Sequence, residues 1–177
     1  MSRAEQGRDP AVWADQTEAA VLRHLDALGV AYEVVRIDPR HADTAAFCAR
    51  YGYAEHESGN CILVGAKTGP KGYAACLVQA TRRVDVNRTV RRLLGVRKAS
   101  FASAEETTAV TGMLPGGVTP FGLPGDVPLY VDAPVAALDR VVVGGGSRAM
   151  KVVVDTGVFA RMPGATVVEG LGTPPPA

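Results

Sequence analysis

The stretch from Gly112 to Asp155 constrains this chain more than any other. It holds two glycine-rich loops, a Gly-x-x-x-Pro bend at Gly116 to Pro120, and several short apolar strands. Glycine lets one backbone approach another or a ligand closely, and proline fixes the bend. A segment of this kind makes a pocket walled by main-chain N–H groups. Such a wall suits a polar carbonyl or a phosphate better than an apolar ligand.

With 177 residues, 47% of them hydrophobic, the chain has material for one domain with a substantial core. Residues 1–10 are polar and read as a disordered N-terminus, 11–170 as the domain, and 171–177 as a flexible C-terminal tail. Lysine and arginine number 19 against 18 acidic residues. The net charge of +1 therefore neither favours nor opposes polyanions globally, and any such site is local. Cys48, Cys61 and Cys76 are odd in number, sit in apolar surroundings and lack C-x-x-C spacing, which points to a reducing compartment and a cytoplasmic protein. No run of about 18 apolar residues and no apolar leader occurs, so neither a transmembrane helix nor a secretory signal is expected.

The apolar spacing of Val21, Leu22, Leu25 and Leu28 predicts a helix that stops at Gly29. YEVVRI (32–37) alternates like a half-buried strand, and Asp43 reads as the N-cap of a short helix ending near Gly52. CILVG (61–65) and YAACLVQA (73–80) read as a hairpin across KTGPKG. Asp85 opens a second helix, with Val86, Val90, Leu93 and Leu94 on one face and Arg88, Arg91 and Arg92 away from it. Lys98 to Phe101 suggests a brief strand, and Ser103 with Glu106 a capping box. LYV (129–131), RVVVG (140–144), KVVVD (151–155) and TVVE (166–169) complete the strands, with a helical turn at VFARM. Interleaving without a strict βαβ rhythm predicts an α/β (α+β) fold: a curved, mixed, barrel-like sheet flanked by helices.

Gly144 to Ala149 matches the dinucleotide pattern G-x-G-x-x-A after a strand, but KVVVD follows where a long helix is required, so the Rossmann reading fails. The triple glycine Gly144, Gly145 and Gly146 is then a tight turn, with or without a ligand facing it. GAKTGPKG has phosphate-loop composition without the spacing. His24, His41 and His56 are scattered and imply no metal. No serine or cysteine sits in a nucleophile motif, and Cys61 and Cys76 read as small core residues. The arginine helix, flanked by Arg82, Arg83, Arg97 and Lys98, is either a solvated face or a local stripe for phosphates. Asp132 before Ala-Pro reads as a helix N-cap rather than a catalytic base.

GGVTP (116–120) followed by FG, LYVDAP (129–134) and VVGGGSR (142–148) resemble the YbaK-like aminoacyl-tRNA editing family. That family includes free-standing deacylases and the insertion domain of bacterial prolyl-tRNA synthetases. The likeness extends more loosely over 17–170, through YEVV, NCILVG, YAACLVQA and VDVNRTVRRLLGVRKASFASAEE. It implies the family's curved-sheet fold and the hydrolysis, in trans and without a cofactor, of the ester joining a mischarged amino acid to tRNA. The implied partners are aminoacylated tRNA, its small aminoacyl group and an aminoacyl-tRNA synthetase, with no membrane.

By this resemblance Gly116 is an oxyanion donor, and Gly117, Val118, Thr119, Pro120, Gly144, Gly145, Gly146 and Lys151 surround the substrate. Arg88, Arg91 and Arg92 would meet the tRNA. Asn60 stands where the family usually has a lysine, and would position the substrate through its amide rather than a charge. The lost cation is either absent, leaving an inactive binding module that recognises an aminoacyl or tRNA 3′ end without turnover, or relocated to Lys151 or Arg148.

Overall fold

The computed structural model describes residues 16–70 and 72–175. The segment 1–10, expected to be disordered, and the last two residues of the expected tail lie outside the described residues. Helix α1 (Gln16–Leu28) buries Val21, Leu22 and Leu25, the stripe read from the sequence. Gly29, at φ +65°, ends it in the left-handed conformation that glycine adopts without strain.

Two sheets carry the fold. Strands β1 (Tyr32–Arg36), β7 (Arg140–Gly144) and β8 (Met150–Asp155) form an antiparallel sheet in the order β1-β8-β7. Strands β2 (Gly59–Ala66), β3 (Tyr73–Gln79), β5 (Ala99–Phe101), β6 (Leu129–Asp132) and β9 (Ala165–Val168) form a mixed sheet, ordered β5-β2-β3-β6-β9. Within it β2 runs antiparallel to β3 and β5, while β6 runs parallel to β3 and to β9. A single parallel bridge, Ser58 to Val142, joins the two sheets. Among the described residues the expected mixed α/β fold is present, as separate sheets that do not close into a barrel. Closure needs a continuous ladder, and here one bridge replaces it.

The alternation of β2 and β3 sorts side chains to two faces. Cys61, Leu63, Ala75 and Leu77 join the main core with Val141, Val143, Val152 and Val154 of the other sheet and with α1. Val64, Cys76 and Val78 face the opposite way, under a helical segment with buried Val86 and Val90. That segment begins at Asp85, whose carboxylate accepts the Arg88 N–H at 3.3 Å. Its first turn is wide, with Val90 N–H donating to the Asp85 carbonyl at 3.1 Å, before tightening into α3 (Arg91–Leu94). Hydrophobic periodicity alone does not distinguish such a π-turn from an α-turn, because both turn the same apolar residues inward.

Helices α2 (Thr44–Tyr51), α4 (Ala104–Thr111) and α5 (Ala133–Ala136) are short. The expected capping box is present at α4, with Ser103 Oγ accepting the Glu106 N–H and Glu106 accepting the Ser103 N–H, each at 3.0 Å. Asp132 occupies the N-cap position of α5, but its fully buried carboxylate makes no capping bond and lies 3.4 Å from Arg82 Nε. The helix-cap reading was correct in place and incorrect in bond. Leu171 is also fully buried, and Gly172–Thr173 (β10) pairs with Arg83–Val84 (β4). The chain expected to loosen at 171 is thus held through 173, because Leu171 completes the apolar cluster under α3.

Candidate functional site

The bend begins with a β-turn. Gly117 N–H donates to the Leu114 carbonyl at 2.8 Å, Pro115 takes the second position, and Gly116 takes the third at φ +83°. Proline presets the first central residue and glycine supplies the positive φ of the second, which defines a type II turn. The turn docks on the loop between β7 and β8: Leu114 N–H bonds the Gly146 carbonyl at 3.2 Å, and Gly146 N–H the Gly117 carbonyl at 2.6 Å. This approach explains the glycine run. A Cβ on Gly144 would lie 2.4 Å from the Val118 carbonyl oxygen, and one on Gly117 2.3 Å from that of Ser147.

Where turn and loop meet, a cavity of about 250 Å³ opens, lined among others by Thr44, Asn60, Gly116, Val118, Gly144 and Lys151. It lies below the roughly 300–1,000 Å³ of ordinary ligand clefts, a size suited to one small acyl group. The N–H groups of Gly116 and Val118 find no acceptor among the described residues. Asn60 is oriented by Thr44, whose hydroxyl donates to Oδ1 at 2.6 Å, leaving Nδ2 without a partner among the described residues. Lys151 enters from β8, 6% exposed, with Nζ donating to the Gly116 carbonyl at 3.1 Å and lying 5.5 Å from the centre of the Phe47 ring. Burial, then the nearby Arg148 cation, bring its pKa from 10.5 down to about 8, against the attraction of Asp43 and Cys48.

Of the residues singled out in the sequence, Asn60, Gly116, Val118, Gly144 and Lys151 line this cavity. Gly117, Thr119, Pro120, Gly145 and Gly146 do not. Gly117 and Gly146 use their backbone groups on each other, and Gly145 is packed against Met150. Thr119 is fully buried, and Pro120 leads into Phe121, which stacks on Phe159. The far end of the bend is pinned by Gly122 N–H donating to His24 Nδ1 at 2.8 Å. Arg88, Arg91 and Arg92 are exposed on the outer face of the mixed sheet. Their helix packs against Ile62, which also lines the cavity.

Sequence reasoning missed Ala42, Asp43 and Thr44, which form one wall. Asp43 and Thr44 read only as the start of a helix, and nothing local signals a contact with Asn60. Cys61 borders the cavity, but burial drives its thiol pKa far upward, so it supplies no thiolate. Cys76 is pushed up to about 12 by burial, and all three cysteines are buried and free. No cluster of metal-ligating side chains occurs among the described residues. None of the described helices is long and apolar enough to cross a membrane.

Among the described residues, the arrangement offers two backbone donors without an acceptor, one amide donor and one buried cation around a small hollow. Such a set is chemically suited to an acyl oxygen and to negative charge developing on it. The model of the aminoacyl-tRNA editing domain matches residues 38–162. Among solved structures, a hypothetical protein is 24% identical with a TM-score of 0.77, over 87% of this chain and 99% of its own. A proposed trans-editing enzyme for prolyl-tRNA synthetase is 21% identical with a TM-score of 0.75, over 89% and 98%. At these identities the likeness speaks for the fold.

Proposed function

The chain belongs to the aminoacyl-tRNA editing domain family, and from that premise we propose that it hydrolyses, in trans, the ester joining a mischarged amino acid to the 3′ end of tRNA. The observation that carries this reading is that the Gly116 and Val118 N–H groups, without an acceptor among the described residues, belong to residues lining one acyl-sized cavity with Lys151.

Water adds to the ester carbonyl carbon, and the carbonyl oxygen gains the negative charge. Gly116 and Val118 N–H groups and Lys151 stabilise that oxyanion, which needs donors placed in advance rather than a strong nucleophile. Collapse breaks the acyl bond to the ribose oxygen, a proton originating from the water ends on that oxygen, and free amino acid and tRNA leave. Asn60, with Oδ1 held by Thr44, turns its amide donor to the bound substrate. Lys151 supplies the cation that Asn60 lacks, from a different strand. Cavity size restricts the side chain that enters. Arg88, Arg91 and Arg92 meet tRNA phosphates, and a synthetase that makes the mischarged product is the natural partner.

The test is a panel of correctly and incorrectly charged tRNAs incubated with purified protein, each beside an uncatalysed control. Acceleration on at least one mischarged member, lost in Lys151→Met, supports the reading. Binding of charged tRNA without acceleration on any member refutes it in favour of an inactive recognition module.

A further inference from the structure

Arg148 sits on the loop between β7 and β8, and its guanidinium touches both lips of the cavity. Nη1 donates to the Pro115 carbonyl at 2.9 Å, and Nη2 to the Pro39 carbonyl at 3.1 Å. Nη1 also lies 3.6 Å from Asp43 Oδ1. Pro115 belongs to the type II turn. Pro39 opens the short helical turn that leads into Ala42, Asp43 and Thr44 on the opposite wall. Among the described residues, the hydrogen bonds linking these two lips both come from Arg148.

The root of this side chain is itself fixed. Ser147 Oγ donates to the buried carboxylate of Glu18 and accepts the Ala149 N–H at 3.0 Å. Glu18 pairs with Arg36 at 2.8 Å. The fit at the tip is close, since a Cβ on Gly116 would stand 2.4 Å from Nη1.

The Pro115 carbonyl and the Gly116 N–H belong to one peptide unit. A trans peptide is planar, so its C=O and N–H point to opposite sides. Holding the carbonyl from one side therefore fixes where the N–H points on the other. A charged donor on the carbonyl also polarises the N–H into a better donor. We infer that Arg148 is a positioning residue: by bridging Pro39 and Pro115 it holds the Pro115–Gly116 peptide in place and aims the Gly116 N–H across the cavity at the acyl oxygen. Two diverging carbonyls need two nitrogens on a rigid plane, which arginine has and lysine lacks.

The kinetic consequence rests on the proposed hydrolysis, whereas the structural one does not, so the experiment has two arms. Arg148→Lys keeps the charge and loses the bridge. With a mischarged tRNA that the wild type hydrolyses, kcat is expected to fall by about 10- to 100-fold, as a displaced reacting group produces, with KM changed less than about 3-fold. By NMR, the Gly116 amide is expected to shift and its order parameter to drop in Arg148→Lys and Arg148→Ala, while amides of β3 stay as in the wild type. A wild-type kcat in Arg148→Lys with a raised, salt-sensitive KM in Arg148→Ala would make Arg148 a phosphate contact and overturn the inference. An unchanged Gly116 order parameter overturns it too, including where no panel member is hydrolysed and the proposed function itself has failed.

Discussion

Lys151→Met is expected to make the protein more stable and less active at once. The folded state brings Lys151 from 10.5 to about 8, through burial first and Arg148 second. At about 1.4 kcal/mol for each tenfold change in proton affinity, that fall means the charged side chain costs the fold roughly 3 kcal/mol at pH 7. Methionine removes the charge and keeps an unbranched chain of similar length. It also forfeits the bond to the Gly116 carbonyl and the contact with Phe47, together worth about 1–2 kcal/mol. The net gain at pH 7 is therefore about 1–2 kcal/mol, or roughly 3–6 °C in Tm for a domain of this size.

The sign depends on pH. Above about 8 the folded protein releases the Lys151 proton while the unfolded chain holds it up to 10.5. Wild-type stability thus gains from this group as pH rises between the two values. The advantage of the methionine variant should shrink across that window and vanish by its upper end. Urea denaturation of both proteins at pH 7 and pH 10 reads this directly. A variant less stable at pH 7, or an advantage that is the same at both pH values, refutes the reasoning that Lys151 is held charged against its environment.

Three further outcomes follow, two from the cavity and one from the arginine helix. The ratio of catalysed to uncatalysed deacylation should fall as pH rises through about 8, because Lys151 loses its charge there; a pH-rate profile that stays flat or climbs through that range contradicts it. Gly116→Ala should remove most activity and cost about 1–3 kcal/mol of stability, since φ is +83° and the new Cβ would crowd Arg148 Nη1; thermal melts and the deacylation assay check both. Replacing Arg88, Arg91 and Arg92 together with glutamine should raise KM for charged tRNA with kcat near wild type. It should also flatten the plot of log affinity against log salt by about 2–3, and an unchanged slope would return these residues to a solvated helix face.

Most elements were legible because their signals are local. The stripe Val21, Leu22, Leu25, the stop at Gly29 and the box of Ser103 with Glu106 each depend on residues within two turns of one another. The strands from Leu129 to Asp155 could be read from β-branched runs broken by glycine and proline. The sequence placed the bend at Gly116 to Pro120, and the structure puts the turn itself one step earlier, at Pro115-Gly116, where proline and glycine meet the needs of a type II turn. What local signals could not carry was partnership. Glycines at 117, 145 and 146 read as possible ligand contacts, and the structure uses them for backbone packing against neighbouring segments.

The sequence by itself therefore determined most element types and the chemical character of the bend, because dihedral preferences and hydrophobic periodicity act over a few residues. Only the tertiary structure decided that Lys151 from β8 faces Asn60 from β2, that Thr44 sets the amide, and that Arg148 joins two distant prolines. Those distances follow from how two sheets cross-link at Ser58 and Val142, and strand register and sheet packing are properties of the whole chain.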